Sequence, residues 1–281
     1  MAQRHISAHV GPVSFNAIRN LIALAALLPF VLLGARGSRP RHPFPGWRLA
    51  LLAGAGTGGP VFVGGWIQQA GIALTTAGNA GFITGLYVVF VPLLAALAGI
   101  RMPRATWPAA GLAAVGMYLL SVQPGGGFAR GDALVLVSAV IWALHVHAVG
   151  HFARKIDALW LAWLQLTFAA ILGLPLAWAT EPLSGDALRA AAWPLIYSGL
   201  AGGALGFTFQ MAGQRHAPPA HAAVLLGLEG MFAALFGGWL LGERLGPRGW
   251  FGAMLMLAGS LVSQAHHLRA RRPEPGPSTG E

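Results

Sequence analysis

Cysteine is absent from the 281 residues, which excludes a disulfide framework, a thiol nucleophile and a Cys-ligated metal site. Charge is scarce. Only 9% of residues are charged, against about 25% in soluble domains. Lysine occurs once, as Lys155, and no Gly-x-x-x-x-Gly-Lys loop exists, so ATP is not the direct energy source of this chain alone. Acidic residues number 8 against 18 basic ones. What remains is 56% hydrophobic, with a mean hydropathy of +0.63. So much apolar surface cannot be hidden in a water-soluble globule, and the bilayer must be its solvent. The basic excess then reads as cytoplasmic loops rather than as a nucleic-acid footprint.

One stretch, Gly64 to Val122, occurs twice. Shifted by 142 positions, Gly64 falls on Gly206, Gln68 on Gln210, Gly71 on Gly213, Ala80 on Ala222, Gly85 on Gly227 and Phe90 on Phe232. The shift becomes 143 further on, where Trp107 meets Trp250, Ala110 meets Ala253 and Gly116 meets Gly259. Ala, Gly and Leu match by chance in such a chain; Gln, Phe and Trp at nearly constant offset indicate two copies of one unit.

Runs of about 20 apolar residues predict nine spans: 13–33, 47–68, 78–99, 106–123, 132–151, 158–179, 193–213, 219–241 and 249–266. Trp47, Trp107, Trp160, Trp193, Trp239 and Trp250 stand near span ends, where tryptophan favours the membrane interface. Residues 267–281 read as a disordered tail. Arg36, Arg39, Arg41, Arg48, Arg101, Arg104, Arg154, Lys155, Arg215 and the tail arginines fall on one side. Arg4, Arg130, Arg189, Arg244 and Arg248 fall on the other. The positive-inside rule places the tail in the cytoplasm. Span 47–68 and its mate 193–213 then cross in opposite directions, so the repeats are inverted. That plan is common in secondary transporters, with the site at the repeat interface.

The order of several segments resembles the drug/metabolite transporter superfamily, EamA type. Gly11-Pro12-Val13-Ser14-Phe15-Asn16-Ala17-Ile18-Arg19 is similar to that family's second helix, and Ala77 to Tyr87 to its fourth. Gly131-Asp132-Ala133-Leu134 through Ala143 resembles the helix that opens its second repeat, and Leu228-Glu229 through Leu245 its ninth. The resemblance implies an all-α integral membrane protein of two inverted helical repeats on a ten-helix plan. Residues 1–128 form the first repeat with four spans, 129–266 the second with five, and 267–281 the tail. The first helix is then missing. Met1 to His9 reads either as the stub of a tenth helix with its start upstream, or as the beginning of a native nine-span chain.

Candidate site residues follow from cost: polar groups inside spans are expensive and functional by default. The substrate-cavity candidates are Thr84, Tyr87, Trp142, Gln165, Gln210 and Glu229. Thr84 and Tyr87 share a helix face; Gln165 and Gln210 have an interhelical hydrogen bond as the alternative role. Glu229, at the middle of span 219–241, is also the proton-coupling candidate, with a structural hydrogen bond as its other reading. Gly58, Gly59 and Pro60 in one span, and Gly202 and Gly203 in its mate, are candidate helix breaks, with close packing as the alternative. Gln68, Gln69 and Asn79 are read as interfacial. Arg19 either snorkels to the outer interface or attracts an anionic substrate group.

These readings converge on a secondary transporter, exporting small metabolites such as amino acids by alternating access, in the bacterial inner membrane with the C-terminus cytoplasmic. A cavity of Trp, Tyr, Gln and Asn with few charges suits neutral or zwitterionic amphipathic molecules. The expected partners are the substrate and the lipid bilayer, with no nucleic acid; homodimer formation stays open. No cofactor is expected. The alternative is a membrane-embedded metalloenzyme built on His147 and His151, four apart on one helix face.

Overall fold

The computed structural model describes residues 10–34, 44–122, 129–181, 184–241 and 246–270. The stub Met1–His9, the end of the ninth-helix motif at 242–245 and most of the predicted tail, 271–281, lie outside the described residues. The described chain is helical throughout, without strands. Its elements are α1 (Pro12–Gly34), α2 (Trp47–Ala73), α3 (Ala77–Gly85), α4 (Tyr87–Leu97), α5 (Thr106–Ser121), α6 (Arg130–Phe152), α7 (Ala158–Thr180), α8 (Gly185–Tyr197), a π-helical segment Ser198–Gly206, α9 (Phe207–Gln214), α10 (Pro219–Leu241) and α11 (Pro247–Ala270).

Helix stands at every predicted span. Five stretches among the described residues are long and apolar enough to cross a membrane: Pro12–Gly34, Trp47–Ala73, Ala77–Leu97, Arg130–Phe152 and Ala158–Thr180. Their ends have local causes. Thr76, Asp157 and Ser184 each accept a hydrogen bond from a backbone N–H of the following first turn, at 3.1, 2.9 and 3.1 Å. Gly99, at φ 78°, closes α4 in the left-handed conformation that glycine adopts without steric cost. Trp47, Trp107, Trp193 and Trp250 are largely exposed, as tryptophans bordering lipid are.

The packing shows the inversion directly. Along the α5–α11 contact, Gly116 faces Gly252 while Gly259 faces Ala109, so numbers rise on one helix as they fall on the other. The 143 shift carries Gly116 to Gly259 and Ala109 to Gly252. The two contacts are therefore one contact seen from both ends. A Cβ on Gly116 would lie 2.5 Å from the Gly252 carbonyl oxygen, and one on Gly259 would lie 2.7 Å from that of Ala109. Helices α1 and α7 are also antiparallel. Ala17 packs against Gly173 and Ala177, whereas Leu27 at the other end clusters with Leu161 and Leu166. Pro29 and Pro175 correspond across this pair. Repeat mates that meet antiparallel are related by a pseudo-two-fold axis in the membrane plane, so the repeats are inverted.

Two carboxyl sites, Asp132 buried and Glu181 partly buried, tie helix ends together. Asp132 accepts hydrogen bonds from the Thr75 hydroxyl, from Asn79 Nδ2 at 3.3 Å and from the Ala129 N–H at 2.8 Å, joining α6 to the α2–α3 turn. Glu181, beyond α7, accepts from the N–H groups of Val13 and Ser14 at 3.1 and 2.8 Å. These N–H groups have no partner inside α1, and the helix dipole favours a negative group there.

One sequence expectation needs correction. Helix α2 runs unbroken through Gly58-Gly59-Pro60. Pro60 removes one backbone donor, and Gly58 serves close packing instead: a Cβ on it would lie 2.5 Å from the Gln165 carbonyl oxygen of α7, while nothing lies within 4 Å of one on Gly59. The irregularity occurs only in the second copy, where Ser198–Gly206 is π-helical and contains Gly202 and Gly203. Gly203 packs on Ala23 of α1, while nothing lies within 4 Å of a Cβ at Gly202. The predicted span 78–99 stands as Ala77–Leu97, with a turn at Leu86 between its two helical parts.

Candidate functional site

A cavity of about 360 Å³ lies between the two repeats. Its lining follows the pseudo-symmetry. Gln68 of α2 and Gln210 of α9, related by the 142 shift, both border it. So do Tyr87 of α4 and its mate Glu229 of α10, and Thr84 with its mate Leu226. The turn at Leu86 sits between Thr84 and Tyr87. The π-helical segment contributes Gly202 and Gly206 to the wall. Each half thus presents its irregular backbone to the same space.

Local contacts fix the wall. Gln68 Nε2 donates to the Thr84 hydroxyl at 3.0 Å. Gln210 Nε2 donates to Gln214 Oε1 at 3.0 Å, and Gln214 Nε2 donates to the Val146 carbonyl at 3.0 Å. Trp142 stacks on Phe207 with ring centroids 6.5 Å apart and meets His145 edge-on at 5.5 Å. His145 Nε2 lies 2.6 Å from Gln165 Oε1, an arrangement that makes Nε2 the donor. Glu229 is exposed, and it lines the cavity together with Tyr87.

Of the sequence candidates, Thr84, Tyr87, Trp142, Gln210, Glu229 and Gly202 line the cavity. Gln165 stands behind His145, fully buried. Gly58, Gly59, Pro60 and Gly203 are not on the lining. One reading changes: Gln68, read as interfacial, reaches the cavity, and Arg19, read either towards the interface or towards a substrate, borders it too. The sequence reading did not single out His145 or Phe207 as lining residues. Their signal was spacing, one turn from Trp142 for His145 and next to Gly206 for Phe207. His147 and His151 do not converge. Nε2 of His147 meets the Val91 carbonyl at 2.8 Å, and Nε2 of His151 meets Lys155 Nζ at 2.8 Å. Among the described residues no group of three or more His, Asp or Glu could hold a metal ion.

Comparison with known proteins agrees with the two-copy plan. The model of the EamA-like transporter family matches residues 1–122 and again 129–264. The chain is 31% identical over 254 residues to an uncharacterized transporter of Archaeoglobus fulgidus, spanning 90% of this chain and 77% of that one. A solved structure described only as "Crystal structure of protein" shares the fold, with a TM-score of 0.71 at 20% identity over 96% of this chain and 93% of the other. Two antiparallel copies of one helical unit, each matched by the same family, establish that the chain is a multi-pass membrane transporter belonging to the EamA-like transporter family.

Proposed function

We propose that this transporter is a secondary exporter of small neutral or zwitterionic metabolites, of amino-acid size, working by alternating access at the cavity between its repeats. The observation that carries the reading is the pairing of Gln68 with Gln210 and of Tyr87 with Glu229 around one space. Residues related by the pseudo-two-fold axis reach the substrate from both halves, so either half can close over it. A volume of about 360 Å³ lies at the lower end of small-molecule sites. Purified protein in liposomes, preloaded with unlabelled neutral amino acids, is expected to show counterflow of the labelled compound. Selective counterflow of multiply charged sugar phosphates instead would overturn the substrate class.

The proposed setting is the bacterial inner membrane with the C-terminus in the cytoplasm. The basic residues support that orientation. Because the chain has no native cysteine, a single cysteine at position 281 reports the side without further changes. A membrane-impermeant maleimide is expected to label it in inside-out vesicles and not in intact cells. The opposite pattern reverses the orientation and with it the assignment of inside and outside to every helix.

A further inference from the structure

We infer that Arg19 is the residue that selects and orients the transported molecule, by binding an anionic group of it, a carboxylate in the substrates proposed above. The inference rests on the reading of the cavity as the transport site and assigns one end of the substrate to one wall of it.

Arg19 sits seven residues into α1, about 10 Å along the axis from Pro12 at 1.5 Å per residue. It borders the cavity. Its guanidinium lies over the Phe15 ring, with Cζ 5.9 Å from the centroid. Its Nε is buried and has no hydrogen-bond partner. An intramembrane charge normally faces a protein carboxylate, a carbonyl or water-filled space. No carboxylate answers this one. Arg189 pairs with Asp186 at the surface. The buried carboxyl of Asp132 is occupied by Thr75 and Asn79, and the carboxyl of Glu181 caps α1. Glu229 lines the same cavity from α10, in the other repeat. Positive and negative groups therefore face one space from separate walls without neutralising each other.

A second unpartnered donor shares the lining. Trp142 Nε1 is buried with no acceptor. A guanidinium presents a fork of N–H groups that matches a carboxylate, and the indole N–H is a further donor on the same lining. The chemistry selects a dipolar ligand: an anionic end on Arg19, a cationic or hydrogen-bond-donating end towards Glu229. A phosphate dianion would gain at Arg19 and be repelled by Glu229. The pseudo-symmetry is broken at this point, since the residue matching Arg19 at the offset of Pro29 and Pro175 is the neutral Gln165. A ligand therefore meets two different ends, and its orientation is determined.

The test uses the full chain in proteoliposomes with three probes of similar shape: L-leucine, L-leucinamide, which lacks the carboxylate, and 4-methylpentanoate, which lacks the ammonium group. Half-saturation is measured by competition against labelled leucine counterflow, and for the variants against labelled leucinamide as well. The unsubstituted protein is expected to prefer leucine over leucinamide by about 10- to 100-fold, the range for a hydrogen bond to a charged group. Arg19→Gln is expected to bring that ratio to within about 3-fold while leaving the leucinamide value in place. Arg19→Lys, which keeps the charge but loses the fork, is expected to fall between. Thermal melting in detergent identifies which variants are folded, and a folded Arg19→Lys alone is sufficient to read the ratio. A leucine preference as large as that of the unsubstituted protein in either folded variant overturns the assignment and leaves the transport reading standing. Equal loss for leucine and leucinamide makes Arg19 structural and also overturns it. If the unsubstituted protein moves none of the probes, the substrate class proposed above fails, and the assignment fails with it.

Discussion

Glu229→Gln is expected to abolish accumulation driven by a pH gradient while substrate exchange continues. Among the described residues Glu229 is the carboxyl group that lines the cavity, and glutamine keeps its shape while removing its ability to carry a proton. With one proton exchanged per substrate, a gradient of one pH unit supports up to about tenfold accumulation, since each unit is worth about 1.4 kcal/mol. The variant should equilibrate substrate to a ratio near one. Exchange should persist at a higher half-saturation, because the cationic end of the substrate loses its partner. Arg19, Tyr87 and His145 share the cavity, and His145 is the other group there that ordinarily titrates near neutrality. His145→Asn should keep the coupling, because His145 Nε2 is engaged with Gln165. Concentrative uptake by Glu229→Gln with an unchanged pH profile would assign Glu229 to packing. The driving force would then lie elsewhere.

The second large effect is structural. Gly116→Leu is expected to unfold or aggregate the protein, or at least to lower its melting temperature clearly in detergent. The added Cβ would stand 2.5 Å from a backbone oxygen, that of Gly252, so α11 itself would have to move. Overpacking of this kind costs about 1–3 kcal/mol or more. The pseudo-symmetry sharpens the expectation: Gly259→Leu, the same contact from the other end, should cost a similar amount. Gly111→Leu, on the same helix as Gly116 with nothing within 4 Å, should be close to neutral. Equal stability of Gly116→Leu and Gly111→Leu would refute the close crossing.

Much of this architecture was legible because hydropathy and repetition are properties of the sequence itself. The span limits followed from run length, and the inversion from the combination of a 142-residue shift with basic-residue placement. The pairing of Tyr87 with Glu229 in one cavity was implicit in that shift. Rotation was not legible. A helix that is apolar on every side offers no stripe to say which face turns inward, so Arg19 stayed open between the interface and the cavity and His145 looked unremarkable. Local backbone state was equally hidden. Gly58-Gly59-Pro60 and Gly199 with Gly202-Gly203 are similar breakers on paper. Yet the first packs against the α7 backbone as regular helix, while the second widens into a π-helical stretch. What separates them is the neighbour each one meets, and a one-dimensional pattern does not contain it.

The antiparallel contact of α5 with α11 has a consequence for how such a molecule can be tuned. The two-fold operation that swaps the halves returns this contact to itself, Gly116 on Gly252 becoming Gly259 on Ala109. In an alternating-access cycle the inward- and outward-open forms exchange the roles of the halves, so both forms present the same energy at that seam. A substitution there raises or lowers the two together and leaves their ratio alone. Features without a mate behave differently. The Glu181 clasp on the start of α1 has no carboxyl at its matching sequence position, which is Ala35 at the offset of Pro29 and Pro175, so whatever it contributes must differ between the two openings. Evolution can therefore adjust durability at the seam and directional bias at the clasp as separate quantities.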